Sequence, residues 1–283
     1  MIHLGLTGYP LSHSLSPTLH KAALSAIGLQ GEYRLYPVAP GDMDSLADLA
    51  RRIRNGKIDG LNVTIPHKQI IISLLDELTP SAEAIGAVNT LYMRDGRLIG
   101  HNTDAPGFLA DVKEFLRNTG IQKNALVLGA GGAARAVAYA LLQDGWKLNM
   151  AVRQTDFNQA QALKESFGAQ AGSGGIKVVL LETENLGRLG GGVNLIVNAT
   201  PIGMFPETDY SAWPEGLPFP EGCAVYDLVY NPPETRLVRE ARAAGRRATT
   251  GLGMLVEQAG RSFTCWTGRE VARGVLFDAV EEV

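Results

Sequence analysis

Ala125-Leu126-Val127-Leu128-Gly129-Ala130-Gly131-Gly132-Ala133-Ala134-Arg135 reads as an apolar strand, a glycine-rich turn and the start of a helix running to about residue 142. In that order, G-x-G-x-x-G/A signals a dinucleotide-binding βα unit. Gly129 permits the tight turn, Gly131 lets a pyrophosphate approach the backbone, and Ala134 lets helix and strand pack closely. Free N–H groups at the helix start then face the phosphate. On this reading Gly129, Ala130, Gly131, Gly132 and Ala133 bind a cofactor. A glycine turn alone would fit any close strand–helix connection, so the flanking strand and helix carry the reading.

Downstream, strands expected at 148–152, 177–180, 194–198 and 224–228 alternate with helical or irregular stretches, the pattern of a parallel sheet covered by helices. Gly172 to Gly175 and Gly190 to Gly192 read as loose turns. Residues 206–222 carry four prolines and little periodicity, which predicts a loop and a candidate lid. Upstream, strands are expected at 2–7, 32–38 and 60–64, and helices at 18–27, 42–55 and 66–75. Strands at 88–93 and 98–101 straddle Asp95-Gly96, a hairpin-turn signal. A helix over 104–118, with Phe108, Val112, Phe115 and Leu116 on one stripe, links two domains. Helical patterns return at 253–263 and 271–282.

The chain has 283 residues, enough for two domains with sizeable cores. A formal charge of −3 leaves no basic footprint for nucleic acid. No apolar run approaches the ~20 residues that span a bilayer, and Met1-Ile2-His3-Leu4 lacks the charged start of a secretory signal. Cys223 and Cys265 are too few for a disulfide framework or a structural zinc site, so no metal is expected. Cys223 falls in an apolar, strand-like stretch and is expected as a buried thiol. Together these features place the chain in a reducing cytoplasm, without a membrane or nucleic-acid partner.

Three polar clusters carry candidate chemistry. In Asn62-Val63-Thr64-Ile65-Pro66-His67-Lys68, Pro66 suits a first helical turn and places Lys68 near a helix N-terminus, the unfavourable end of the dipole. A solvated surface lysine is the ordinary alternative, and His67 reads as a surface or capping residue. In Asn102-Thr103-Asp104, Thr103 or Asp104 either caps the linking helix or serves chemistry. A carboxylate and an ammonium within hydrogen-bond reach form an acid–base pair able to move a proton at a carbinol oxygen while hydride leaves its carbon. Ser12-His13-Ser14-Leu15-Ser16-Pro17 offers hydroxyls ahead of a helix, Ser14 and Ser16 being either a cap and its neighbour or donors to a polyhydroxylated ligand. No Gly-x-Ser-x-Gly elbow surrounds them.

These segments together resemble the shikimate dehydrogenase family, including its quinate/shikimate relatives, over essentially the full length. The resemblance rests on Ser14-Leu15-Ser16-Pro17, Asn62-Val63-Thr64-x-Pro66-x-Lys68, Gly86-Ala87-Val88-Asn89-Thr90, Asn102-Thr103-Asp104 and the glycine turn. It continues through Asn198-Ala199-Thr200-Pro201-x-Gly203-Met204, Asp227-Leu228-Val229-Tyr230-Asn231-Pro232 and Gly251-x-Gly253-Met254-Leu255-Val256-x-Gln258. It implies an α/β fold of two domains. An N-terminal substrate domain with a mixed sheet (1–104) is completed by C-terminal helices returning to it (about 251–283), and a Rossmann-type NADP domain spans 105–250. It further implies reversible, NADP-dependent reduction of 3-dehydroshikimate to shikimate, a step toward chorismate and the aromatic amino acids, in a monomer or homodimer. Lys68 and Asp104 become the catalytic pair. Ser14, Ser16, Asn62, Thr64, Asn89, Tyr230 and Gln258 bind substrate, and Arg153, Thr200, Met204, Leu228 and Gly251 join the cofactor site. A small triol acid needs several neutral donors and acceptors, and a site pairing every hydroxyl rejects analogues that lack one.

Cofactor choice turns on Val152-Arg153-Gln154-Thr155-Asp156. No acid ends this strand to hold a ribose 2′-OH, and Arg153 stands there instead. The family's NADP-using members show Asn-Arg-Thr with a second basic residue soon after, whereas here the next is Lys164, a half-built clamp. NADP is expected to be preferred with measurable NAD use; Asp156 reaching a ribose hydroxyl is the alternative. Quinate/shikimate dehydrogenase with dual cofactors and a relative acting on an aminated substrate stay open as rivals. So does a non-catalytic metabolite sensor, although Lys68 and Asp104 are both retained. A methylenetetrahydrofolate dehydrogenase-like reading shares fold and cofactor but not the serine, Asn-Thr-Asp and glutamine motifs.

Overall fold

The computed structural model describes residues 1–168, 175–189 and 192–281. The turns expected at Gly172-Ser173-Gly174 and Gly190-Gly191, and the end of the helix expected at 271–282, lie outside the described residues. The chain forms two compact units, Met1–Gly107 with Leu255–Val283, and Phe108–Met254. No helix among the described residues is long and apolar enough to cross a membrane.

The first unit alternates strands and helices: β1 (Ile2–Gly8), α1 (Ser16–Ala26), β2 (Gly31–Pro37), α2 (Met43–Arg54), β3 (Gly60–Val63), β4 (Glu77–Leu78), α3 (Pro80–Ile85), β5 (Thr90–Arg94) and β6 (Arg97–His101). α4 (Asp104–Phe115) opens here and leads into the second unit. The sheet order is β2-β1-β3-β5-β6-β4. β1 runs parallel to β2 and β3, and β5 antiparallel to β3 and β6. Asp95 and Gly96 both adopt positive φ, 51° and 75°, as a two-residue hairpin turn matching the strand twist requires. In α2, Leu46, Leu49, Ala50 and Ile53 are buried at helical spacing, and Asp42 accepts from Ser45 N at 3.0 Å to cap it.

Two local expectations fail in this unit. α3 has no counterpart among the expected helices, although Thr79 caps it, Pro80 opens it and Gly86 at φ 66° ends it. Conversely, residues 66–75 form turns and a short 3₁₀ segment, Ile70–Leu74, rather than an α-helix. The Lys68 carbonyl accepts from Val88 N at 2.7 Å, so it is spent on the segment leading into β5. The β-branched run Ile70-Ile71-Ile72 favours a helix less still.

The second unit holds β7 (Asn124–Leu128), α5 (Gly132–Gln143), β8 (Lys147–Val152), α6 (Phe157–Ser166), β9 (Ile176–Leu180), α7 (Thr183–Leu189), β10 (Leu195–Asn198), β11 (Ala224–Asp227), α8 (Arg236–Ala243) and β12 (Arg247–Thr250). The strands are all parallel in the order β12-β11-β10-β7-β8-β9. Strand order reverses between β7 and β10, the doubly wound arrangement whose ligands sit beyond the carboxyl ends at that point. Leu126, Leu128, Ile196 and Val225 fill the core beneath α8. α8 and β12 have no counterpart among the expected elements.

Residues 206–222 carry no helix or strand, and part of the stretch is anchored in the core. Ala212, Trp213 and Phe219 are buried in the same core. Trp213 stacks on Phe219 with centroids 5.2 Å apart and donates from Nε1 to the Leu217 carbonyl at 2.8 Å. Cys223 follows, buried, its thiol pushed up to about 11 by burial.

α9 (Leu252–Thr267) and α10 (Arg273–Glu281) close the chain. Trp266 lies against β3 so closely that a Cβ on Gly60 would sit 2.4 Å from its ring, and its Nε1 donates to the Leu91 carbonyl at 3.0 Å. Beside it His20 stacks on Tyr33 at 4.3 Å, and neither ring nitrogen has a partner among the described residues. Burial pushes the His20 pKa down to about 3, outweighing the opposing pull of the nearby Asn62 side chain. The unfolded chain therefore takes up a proton near pH 6.5 that the folded chain refuses. Stability should fall as pH drops from about 6.5 toward 3, and His20→Phe should flatten that slope in denaturant melts at stepped pH. An unchanged slope would show that the imidazole protonates in the folded state.

Candidate active site

β1 and β3 end side by side, and the first unit's polar residues collect beyond those ends. Thr64 and Lys68 follow β3, and the Ser14 loop follows β1. β5 runs the other way, so its start, Asn89-Thr90, lies level with Asn62, while His101 at the end of β6 pairs with Thr90. One sheet edge thereby gathers side chains from four separated segments.

Lys68 Nζ donates to Asp104 Oδ2 at 2.6 Å, and only 13% and 5% of the two side chains is exposed. That burial removes the reading of Lys68 as a solvated surface lysine. It also sits in a turn, one residue before Gln69, which opens the short 3₁₀ segment rather than an α-helix. His67, expected at the surface, is buried, with its Nε2 2.8 Å from the Val38 carbonyl. The cap of α4 is neither Thr103 nor Asp104: Asn102 Oδ1 accepts from Ala105 N at 3.1 Å, and its Nδ2 donates to the Ala87 carbonyl. Asp104 is released from capping while keeping a carboxylate's favourable place in a first helical turn.

Asn89 holds the carboxylate's other oxygen. Its Nδ2 donates to Asp104 Oδ1 at 2.9 Å and Thr103 Oγ1 at 2.8 Å, with Gln258 Oε1 at 3.4 Å. Its Oδ1 accepts from Thr103 N at 2.8 Å and Thr90 Oγ1 at 3.0 Å. A hydroxyl arriving at Asn89 would have to replace one of these contacts, the long one to Gln258 first. Gln258 also donates from Nε2 to the Leu255 carbonyl, and Gly107 lets α4 approach it, since a Cβ there would lie 2.9 Å from Gln258 N.

Asn62 is buried deeper. Its Nδ2 donates to Asn89 O and Ser262 Oγ, both at 3.0 Å, and its Oδ1 accepts from Tyr33 Oη at 2.8 Å. Both amide hydrogens are used inside the protein, so the side chain orders its neighbours rather than offering a donor to a ligand. Ser262 Oγ also meets Thr90 Oγ1 at 2.8 Å and Thr103 Oγ1 at 3.0 Å. Thr90, Ser262 and Tyr33 are not among the site residues that the sequence suggests, and Thr103 stands there only as a cap or chemical group of Asn102-Thr103-Asp104. The threonines stand inside recognised motifs, whereas nothing near Tyr33 or Ser262 in sequence marks them.

Neither Ser14 nor Ser16 is the cap of α1. The N-cap is Leu15 and makes no side-chain cap. Ser14 Oγ accepts from Ser16 N at 3.3 Å, and neither hydroxyl proton has an acceptor among the described residues. The Thr64 hydroxyl is likewise uncommitted there, and its methyl lies where a Cβ on Gly8 would fall, at 2.2 Å. The site therefore presents hydroxyl donors beside a buried ammonium–carboxylate pair. Among the described residues no group of three His, Cys, Asp or Glu side chains is placed to hold a metal ion.

In the second unit Gly129 turns the chain at φ 105°, and a Cβ there would stand 3.0 Å from the Thr200 methyl. Ala130 and Ala134 are buried. Gly131 caps α5 without a side-chain bond, and a Cβ on it would meet nothing within 4 Å among the described residues. Open space in front of an uncapped helix start, through Gly132 and Ala133, fits a dinucleotide pyrophosphate. Across the switch point Asn198 Oδ1 accepts from Thr200 N and Oγ1, and Asn198 Nδ2 donates to Asp227. Asp227 also accepts from Val229 N and Thr235 Oγ1; its burial still raises its pKa to about 6. Met204 is 39% exposed. Leu228 and Gly251 pack backbone to backbone, a Cβ on Gly251 falling 2.3 Å from the Leu228 carbonyl oxygen. Tyr230 follows β11 in this unit. Arg153, 72% exposed beyond β8, donates from Nε to Asp156 Oδ2 at 2.9 Å.

Residues 6–91 match the model of the shikimate dehydrogenase substrate binding domain, and residues 251–281 match that of the shikimate 5′-dehydrogenase C-terminal domain. The chain is 40% identical over 282 residues to a shikimate dehydrogenase (NADP(+)) of Methanopyrus kandleri, covering 99% of this chain and 94% of that one. Shikimate 5-dehydrogenase from Thermus thermophilus, solved with NADP(H) and shikimate, superposes with a TM-score of 0.84 at 39% identity, covering 100% and 99% of the two chains. A quinate dehydrogenase from Corynebacterium glutamicum in complex with NAD gives 0.86 at 32% identity, covering 100% and 99%. With full-length identity of this order, matched domains at both ends and a doubly wound sheet between them, the chain belongs to the shikimate dehydrogenase family.

Proposed function

We propose that the chain is an NADP-dependent oxidoreductase that reversibly reduces 3-dehydroshikimate to shikimate. The observation that carries this reading is the buried Lys68–Asp104 pair, 2.6 Å apart, at a hydroxyl-lined sheet edge of a chain that also holds a dinucleotide turn. The substrate domain is 1–104 with about 251–283, and the NADP domain is 105–250. Ser14, Ser16 and Thr64 supply donors to the substrate carboxylate and hydroxyls; Gln258 and Tyr230 complete its contacts, and Asn89 takes part by exchanging its Gln258 contact. The reading carries with it a cytoplasmic enzyme that works as a monomer or homodimer.

In the reductive direction Lys68 donates a proton to the carbonyl oxygen and stabilises the charge developing there. Asp104 orients that ammonium through Oδ2, while Asn89 keeps the carboxylate from turning away. In the oxidative direction the same pair receives the hydroxyl proton. Bound NADP(H) supplies or accepts the hydride. Gly129 to Ala133 cradle the pyrophosphate, Thr200, Met204, Leu228 and Gly251 line the rest of the site, and Arg153 meets the 2′-phosphate.

The test crosses shikimate and quinate with NADP+ and NAD+ on the purified protein. The highest kcat/KM is expected for shikimate with NADP+, with measurable NAD+ use. A preference for quinate with NAD+ would replace this reading by the quinate/shikimate one. A charge-assisted hydrogen bond contributes about 1.5–3 kcal/mol, so Arg153→Ala should raise the KM for NADP+ about tenfold or more. The KM for NAD+ should move little; equal effects on both would take Arg153 out of the 2′-phosphate site.

A further inference from the structure

The turn after β8 contains an acid bonded to Arg153, the residue proposed to meet the 2′-phosphate. β8 lies beside β7, so its carboxyl end neighbours the glycine turn, and the residue ending the second strand of such a sheet discriminates the two ribose forms. Arg153 stands there and Gln154–Asp156 curls back in a single 3₁₀ turn, bringing Asp156 Oδ2 2.9 Å from Arg153 Nε. The other carboxylate oxygen accepts from Thr155 Oγ1 at 3.3 Å. Asp156 occupies the N-cap position of α6 yet makes no side-chain cap, so helix capping does not account for where its carboxylate points. The acid is the more sheltered partner, 28% exposed against 72% for Arg153.

We propose that Asp156 is a specificity-determining residue that holds down this enzyme's preference for NADP over NAD by competing with the 2′-phosphate for Arg153. With Nε engaged, Arg153 keeps only its terminal nitrogens for a phosphate, which loses the side-on fork that makes arginine a strong phosphate ligand. The carboxylate also cancels part of the charge that would attract the dianion. NAD presents a neutral hydroxyl at the same place and gains or loses little. Exposed charges a few ångströms apart are well screened, so removing Asp156 should tighten NADP about three- to tenfold.

This inference rests on the dehydrogenase reading, and direct binding separates the two. Dissociation constants of NADP+ and NAD+ are measured by tryptophan fluorescence quenching or calorimetry for the wild type, Asp156→Asn, Arg153→Ala and the double variant, without substrate. Asp156→Asn should tighten NADP+ at least threefold, leave NAD+ within twofold, and give no gain once Arg153 is alanine. The gain should shrink as salt rises. Unchanged or weaker NADP+ binding in Asp156→Asn would assign the acid to holding Arg153 in place and overturn the proposal. A gain that persists without Arg153, or that extends to NAD+, overturns it too. A wild type that binds neither nucleotide brings down the dehydrogenase reading itself.

Discussion

Lys68→Ala should lower kcat for shikimate oxidation by about 10²–10⁴ while changing the KM for shikimate far less. The size follows from what the ammonium touches. It is 13% exposed and bonded at 2.6 Å to a carboxylate that Asn89 holds from the other side, and neutral amides and hydroxyls are gathered at the same end of the sheet. Those neutral groups keep binding the substrate in the variant, whereas no other cation is bonded to Asp104 among the described residues. Removing one member of a buried ion pair also leaves an uncompensated charge, which destabilises the fold by about 3–5 kcal/mol in comparable cases. The kinetics are therefore to be read at a temperature where thermal melts show the variant folded, with Lys68→Met as a second variant that retains the side-chain bulk. Lys68→Arg keeps the charge but replaces a point donor with a planar fork, and should not restore turnover. Turnover within a few-fold of the wild type in both neutral variants would remove Lys68 from the chemistry.

Gly253→Ala should cost about 3–5 kcal/mol of stability, a large effect for a single added methyl. The new Cβ would lie 2.0 Å from Asp111 Oδ1 and 2.4 Å from Oδ2, and backbone geometry gives it no way around. Asp111 is buried and accepts from Tyr226 Oη at 2.6 Å, so its carboxylate can move aside only by breaking a charge-assisted bond to a fully buried tyrosine. Overpacking of this kind costs about 1–3 kcal/mol, and the lost bond to a charged group about as much again. Urea midpoints measure the sum. Asp111→Ala in the Gly253→Ala background should cost less than it does alone, because the two changes relieve one clash. A midpoint indistinguishable from the wild type would mean that the start of α9 shifts freely.

Both expectations depend on contacts with different visibility in the chain. The strand, glycine turn and helix at Ala125 to Arg135 are local: apolar run, positive φ at Gly129 and small residues lie side by side, and the dinucleotide fold follows from them. The Asp95-Gly96 hairpin and the stripe of α2 are local in the same sense. Lys68 and Asp104 were readable as candidates because they sit in short polar motifs at element boundaries. Their partnership came only with the family resemblance and not from local spacing, since it depends on β3, β5 and β6 lying side by side.

Chain-local chemistry thus determined the order of most strands and helices, the cofactor turn and the polar motifs, because backbone preferences are set by neighbours a few residues away. Tertiary structure decided the rest. It turned residues 66–75 away from a helix by pairing the Lys68 carbonyl with Val88, gave the α4 cap to Asn102, and pinned the proline-rich loop by Trp213 and Phe219. It also brought Gln258 and Ser262 to Asn89 and Thr90 across 169 and 172 residues of chain. A hydrogen bond between such distant residues leaves no periodicity to read; it exists only once the sheet and its covering helix have been assembled.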